Sequence, residues 1–309
     1  MKLVSFSTNN CQRHVGVIDA QQRVVDVDDL IRQMPLQDAT WQALAAKGIA
    51  PHSHGLMRWL QAGQGQRQQL THVLHTALRD ANRPRFSPEE VHLHAPLARP
   101  GKIVAIGRNY GDHAKETGLA PFEKPRIISK MPSSVCDPNA TIPIPGDVKK
   151  MDFEAELAVV IGDLAQGVAK ENALRHVAGY TCLNDLSARE FQFDINPAQT
   201  TFAKSMDGFC PLGPWLVTAD DIPDPQNLDV SCKVNGQVMQ QANTHDMLFS
   251  VADLIHYISQ YITLEPGDLI ATGTPAGVGA FRTPPLWLKP GDKIEVEVSG
   301  LGQLVTHIR

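Results

Sequence analysis

The chain has 309 residues, of which 42% are hydrophobic and 20% charged, a composition that folds rather than stays disordered. Its 28 Lys plus Arg against 33 Asp plus Glu leave a net charge of −5, which speaks against the broad basic surface that nucleic acid or an anionic membrane needs. No apolar run reaches the roughly 20 residues of a membrane span, the start at Met1-Lys2-Leu3 has no signal-peptide apolar stretch, and the five cysteines form no Cys-x-x-Cys pair, so the expectation is a folded cytoplasmic protein without a disulfide framework or a Cys-based zinc site.

Residues 2–7, 15–20 and 23–28 read as short strands. Over residues 55–81, Leu56, Leu60, Leu70, Val73, Leu74 and Leu78 recur near helical spacing, with Gly63 and Gly65 allowing one helix or two. No chemical constellation falls in this stretch, so residues 1–82 read as a small α+β accessory domain. Pro84, Pro88, Pro96, Pro100 and Gly101 mark residues 83–101 as a linker, because proline resists both helix and central strand. The body, residues 102–309, is mostly β-like: Ile103–Ile106, Leu157–Ile161, Trp215–Val217, Val230–Val234, Leu269–Ala271 and Ile294–Val298. Asn235-Gly236 predicts a hairpin, and helices are expected only at 110–117, 170–177 and 250–261. Such a body argues against a doubly wound nucleotide-binding fold.

Five segments could carry chemistry. In Met151-Asp-Phe-Glu-Ala-Glu-Leu, the strand period of two puts Asp152, Glu154 and Glu156 on one face. Clustered carboxylates next to a buried run call for a cation, and oxygen donors suit Mg²⁺, Mn²⁺ or Ca²⁺; an exposed acidic strand face has the same alternation. Asp185, in Asn-Asp after a β-like run, fits either a third ligand or a helix N-cap. His113 and Glu116 stand at i and i+3 in a helical stretch, as a base with its orienting carboxylate or as a solvated pair. Lys204 sits among apolar, Gly and Pro residues, where an ammonium can stabilise an oxyanion, or snorkel to the surface. Thr272-Gly-Thr-Pro-Ala-Gly-Val-Gly279 offers backbone N–H groups to an anion, or makes a tight turn. Cys210 reads as a buried thiol rather than a nucleophile. No His-Glu-x-x-His and no Gly-x-Ser-x-Gly occurs, which disfavours a zincin and a serine hydrolase.

The order of these segments carries more than any one of them. The series runs from Gly107-Arg-Asn-Tyr-Gly-Asp-His113 through Phe153-Glu-Ala-Glu-Leu-Ala-Val-Val-Ile-Gly162 and Asn184-Asp-Leu-Ser-Ala-Arg189. It continues with Lys204-Ser-Met-Asp-Gly-Phe-Cys-Pro-Leu-Gly-Pro214 and ends at Thr272–Gly279. It resembles the fumarylacetoacetate hydrolase family over about residues 100–300. The resemblance implies a β-rich α+β fold, a mixed β-sandwich roll with a smaller N-terminal α+β domain, and a homodimer. It implies Mg²⁺ or Mn²⁺ held by Glu154, Glu156 and Asp185, a His113–Glu116 dyad, an active-site Lys204, and Arg108, Gln192, Gly273 and Thr274 facing substrate. The implied reaction is hydrolysis of a C–C bond in an acylpyruvate-type β-diketo acid through a metal-bound enolate, with His113 activating water. Isomerisation or decarboxylation of a hydroxymuconate-type acid, and dehydration or hydrolysis of a keto-deoxy sugar acid, use the same motifs. A catalytically silent metal-binding homodimer is the reading from another class.

Overall fold

The computed structural model describes residues 1–9, 12–52, 55–116 and 122–309. Cys11, and Thr117 at the end of the expected helix 110–117, lie outside them. The fold is β-rich α+β, as expected: a 12-stranded mixed sheet packs against a five-stranded sheet. The spine of the large sheet runs Lys2–Ser7, Cys210–Thr218, Val177–Asn184, Ala155–Ile161, Leu269–Ala271, Ile103–Gly107, Arg126–Lys130. All these neighbours are antiparallel except Leu269–Ala271 and Ile103–Gly107, which are parallel.

The strand Ala155–Ile161 is buried at every position. Its alternation explains this. Leu157, Val159 and Ile161 join a core with Val230, Cys232, Val296 and Leu304 of the five-stranded sheet. Ala158 and Val160 join a second core with Leu56, Leu60, Leu70 and Leu74 from N-terminal helices. A strand covered on both faces reads as a continuous apolar run, not as an alternating one.

The N-terminal region therefore forms the outer layer of the body. Leu3 pairs with Leu216, so the first strand extends the large sheet. Residues 83–101, read as a linker, carry the short strands Arg85–Phe86 and His92–His94, which pair with Val24–Asp26 and Lys2–Ser7. The helical stretch divides into Gly55–Gln61 and Gly63–Ala77, and Gly63, at φ +79°, opens the second. Two further helices, Asp28–Arg32 and Ala39–Ala46, give no clear periodic signal in the sequence. Residues 170–176 wind as a 3₁₀ helix, Gly111–Glu116 is a short α-helix, and Asn235-Gly236 turns a hairpin. Helix Val251–Ser259 starts at a capping box of Ser250 and Asp253 and buries Val251, Leu254, Ile255 and Ile258. No helix among the described residues is long and apolar enough to cross a membrane.

Candidate active site

Two adjacent strands bring three carboxylates together. Ala155 pairs with Asn184 and Glu156 with Leu183, so Glu154 and Asp185 meet where the two strands end. The backbone seals the junction: Asp185 N donates to Glu154 O at 2.8 Å, and Glu154 N donates to Asn184 Oδ1 at 3.1 Å. One ligand oxygen from each of Glu154, Glu156 and Asp185 lies within 4.8 Å of the others, and all three residues are buried.

Asp152 is not part of this cluster. The chain leaves the ladder between Asp152 and Ala155, and Met151–Asp152 pairs separately with Ser187–Ala188. Its carboxylate accepts Arg189 Nε at 2.8 Å and the N–H groups of Gly279 at 2.7 Å and Ala280 at 3.0 Å. Asp152 thus ties the Gly-rich loop to the site instead of offering an oxygen to a cation.

Cations surround the cluster. Lys204, directly after helix Thr200–Ala203, gives its three donors to Glu154 Oε2 at 2.9 Å, Asp185 Oδ2 at 2.7 Å and Ser187 Oγ at 2.9 Å. Lys130, fully buried, lies 2.7 Å from Asp185 Oδ1. Arg189 reaches Glu154 Oε1 at 2.8 Å. Burial alone would raise the Glu154 carboxyl, but the charges of Lys204 and Arg189 outweigh it and hold the group at about 2. Burial also works against the Lys204 ammonium, and Asp185 and Glu154 overcome it, raising its pKa. Glu156 has no direct ion-pair partner among the described residues: burial, then the charges of Asp185 and Glu154, push its carboxyl well up, against the Lys204 charge and one hydrogen bond from Gly273 N at 2.8 Å. Glu154 and Asp185 are paired with cations and Glu156 is compensated only at a distance. An all-oxygen set with one under-compensated carboxylate fits a divalent ion such as Mg²⁺ or Mn²⁺.

The cluster opens into a cavity of about 270 Å³. His113, Phe281, Lys204 and Thr274 are among the residues that line it. His113 is buried and its Nδ1 lies 2.7 Å from Glu116 Oε1, while Glu116 Oε2 accepts Gly277 N at 3.0 Å. Gln192 lines the cavity and accepts from Arg189 Nη1 at 2.8 Å, so the guanidinium that holds Glu154 also aims Gln192. Thr274 Oγ1 donates to Ala155 O at 2.9 Å and accepts from Gln240 Nε2 at 2.7 Å. Gly273, expected to face substrate, spends its N–H on Glu156 and is not a lining residue. Arg108 lines the cavity. Cys210 is fully buried, and burial pushes its thiol up to about 12, which suits a packing role and not a nucleophile.

Four contributors are not apparent from the sequence: Lys130, Arg189, the tie through Asp152, and Arg126, which lines the cavity. Period two offered a signal for two of them, since Arg126, Ile128 and Lys130 share one face of their strand.

The family model described as fumarylacetoacetate (FAA) hydrolase C-terminal matches residues 102–309. The mitochondrial oxaloacetate tautomerase FAHD2A of Bos taurus is 42% identical over 253 residues, 82% of this chain and 79% of the relative. A fumarylacetoacetate hydrolase structure from Exiguobacterium antarcticum is 33% identical with a TM-score of 0.76, covering 100% of this chain and 99% of that one. Maleylpyruvate hydrolase from Sphingobium sp. SYK-6, in complex with manganese(II) and pyruvate, is 28% identical with a TM-score of 0.75, covering 100% and 98%. The fold, the buried carboxylate cluster and these matches agree, and the chain belongs to the fumarylacetoacetate hydrolase family.

Proposed function

We propose that this protein is a divalent-metal-dependent enzyme that interconverts the keto and enol forms of oxaloacetate. The observation that carries the reading is the His113–Glu116 pair, set in the cavity that opens on the carboxylate cluster, in a chain 42% identical to an oxaloacetate tautomerase. Glu154, Glu156 and Asp185 would hold Mg²⁺ or Mn²⁺. The bound ion supplies Lewis-acid polarisation of a 2-oxo acid. His113, oriented by Glu116, takes a proton from C3. The C–H electron pair becomes the C2=C3 bond, the carbonyl pair moves to oxygen, and the proton returns to that oxygen. Lys204 has all three donors engaged, so it acts through its charge, keeping Glu154 and Asp185 ionised and aimed. Phe281 beside His113 limits water at the base.

A second reading is C–C hydrolysis of an acylpyruvate, favoured by the likeness to the maleylpyruvate hydrolase structure that holds manganese(II) and pyruvate. Here His113 would deprotonate water, the hydroxide would add to the distal carbonyl, and the C–C electron pair would leave on pyruvate C3 and be protonated. Both readings include a cytoplasmic homodimer, with exposed Phe193, Ile195 and Phe202 offering apolar surface.

One assay separates them. The ultraviolet enol band is followed for oxaloacetate and for acetylpyruvate, with Mg²⁺ or Mn²⁺ and then with EDTA, and pyruvate is measured in parallel. Metal-dependent acceleration of the oxaloacetate enol–keto relaxation without pyruvate release supports tautomerisation. Loss of the acetylpyruvate band with stoichiometric pyruvate supports hydrolysis, and neither signal sinks both readings.

A further inference from the structure

One wall of the cavity carries two arginines, Arg108 and Arg126, with no anionic partner among the described residues. The strands Ile103–Gly107 and Arg126–Lys130 are antiparallel, and Arg126 stands opposite Gly107. The bare glycine leaves room for the arginine stem: a Cβ on Gly107 would stand 3.2 Å from Arg126 Cδ. Period two places Arg126 on the face of Ile128, which also lines the cavity. Arg108 follows Gly107 directly, at φ +54°.

Both guanidinium groups use one aromatic platform. Arg108 Cζ lies 3.8 Å from the centroid of the Phe122 ring and Arg126 Cζ lies 5.8 Å from it. The ring positions the two cations without neutralising them. Arg108 Nε and one Nη are buried and have no hydrogen-bond partner. Buried donors left unpaired cost free energy, and a like charge alongside adds to that cost. Burial, then the Arg126 charge, accordingly lower the Arg108 pKa. The anionic oxygens of a ligand would satisfy both demands at once, and a guanidinium fork matches a carboxylate in particular.

We propose that Arg126 and Arg108 form a second anionic subsite that takes the distal carboxylate of a 2-oxo dicarboxylic acid, with Arg126 setting the preference for dicarboxylates. The proposal rests on the reading above only in placing the 2-oxo acid end at Glu154, Glu156 and Asp185. It holds for the tautomerase reading, and for the hydrolase reading where the acyl group itself ends in a carboxylate.

Oxaloacetate and pyruvate provide the test, because they differ only by the distal carboxylate. Calorimetry on the Mn²⁺-loaded protein gives both dissociation constants for wild type, Arg126→Gln and Arg126→Lys. Arg126 is exposed at its strand end, and thermal melts verify folding of the variants. The wild type should prefer oxaloacetate. Arg126→Gln should weaken oxaloacetate about tenfold or more and leave pyruvate within about twofold, and Arg126→Lys should fall between. Equal loss for both ligands, no loss for either, or no oxaloacetate preference in the wild type overturns the subsite. Turnover is read separately: a wild type with the binding preference but no enol–keto or hydrolytic activity would sink the reaction and keep the subsite.

Discussion

The amide of Gly277 donates to Oε2 of Glu116 at 3.0 Å, across 161 residues of sequence. The other oxygen of Glu116 holds His113 at 2.7 Å, so the Gly-rich loop reaches the base through one carboxylate. Gly277 cannot be replaced cheaply, because its φ is +104° and a Cβ would stand 2.2 Å from Met239 O.

Gly277→Ala should therefore move the loop and release Glu116. Displacing a catalytic group by about 1 Å costs on the order of 100-fold in rate. A kcat decrease of about 10- to 100-fold is expected, with Mn²⁺ affinity within about twofold of wild type. An unchanged kcat would show that the loop does not position the dyad.

Removing Glu154 should affect metal and fold together. Its carboxylate is paired with both Lys204 and Arg189 in a buried setting. Truncating one partner of a buried ion pair typically costs about 3–5 kcal/mol. Glu154→Ala should lower Tm sharply and abolish Mn²⁺ binding, read from the free-ion electron paramagnetic resonance signal, whereas Glu154→Gln should fold better yet still lose the ion. In the wild type, saturating Mn²⁺ should raise Tm and EDTA reverse it, because only the folded state gathers the three carboxylates. Wild-type Mn²⁺ affinity in Glu154→Ala would remove Glu154 from the ligand set.

The carboxylate cluster was legible because its signal is local: one residue separates Glu154 from Glu156, and Asp185 closes the next β-like run. Asp152 was misplaced by strand alternation. The alternation holds only while the strand continues, and the break at Phe153–Glu154 depends on the pairing of Asp152 with Ser187. Nothing local in the sequence singles out Lys130, because its burial follows from packing against Lys204 and Phe209, whose carbonyls it meets from 74 and 79 residues away. The register of Leu3 with Leu216 is equally non-local, and so are the pairings of Arg85–Phe86 and His92–His94 within the proline-rich stretch 83–101, which its composition reads as a linker.

The carboxylate of Asp137 pins the end of the strand His92–His94. It accepts His94 Nδ1 at 2.8 Å and Ala95 N at 2.9 Å, while His94 Nε2 meets Ser7 Oγ at 2.9 Å. Burial opposes ionisation, but the His94 and Ala95 hydrogen bonds and the His94 charge prevail and hold Asp137 at about 2, below its ordinary 3.8. A depressed carboxyl contributes stability that is complete above about 3.8 and is lost as pH falls through about 2. After discounting for its partial exposure, the contribution is about 1 kcal/mol. Denaturant unfolding of Asp137→Asn should thus show a deficit at pH 6 that shrinks towards pH 2–3. A constant deficit across that range would mean the Asp137 charge is not the source.

The dyad itself admits a test that separates chemistry from structure. His113→Ala should retain Mn²⁺ binding and lose about 10²- to 10⁴-fold in kcat, the usual worth of a general base. Glu116→Gln is more informative, because its shape is unchanged and its two partners compete. Glu116 accepts from Gly277 N through one oxygen and faces His113 Nδ1 through the other. A carboxamide has one acceptor and one donor end. If its oxygen keeps Gly277, its NH₂ faces Nδ1, which must then accept, and the proton moves to Nε2, where a base needs a lone pair. If its oxygen turns to His113, two donors meet at Gly277 and the loop shifts. Both orientations impair the base, so Glu116→Gln should cut kcat nearly as far as His113→Ala while Mn²⁺ affinity and Tm stay close to wild type. Retention of kcat in Glu116→Gln would make the pair a structural contact and leave the proton transfer to another group.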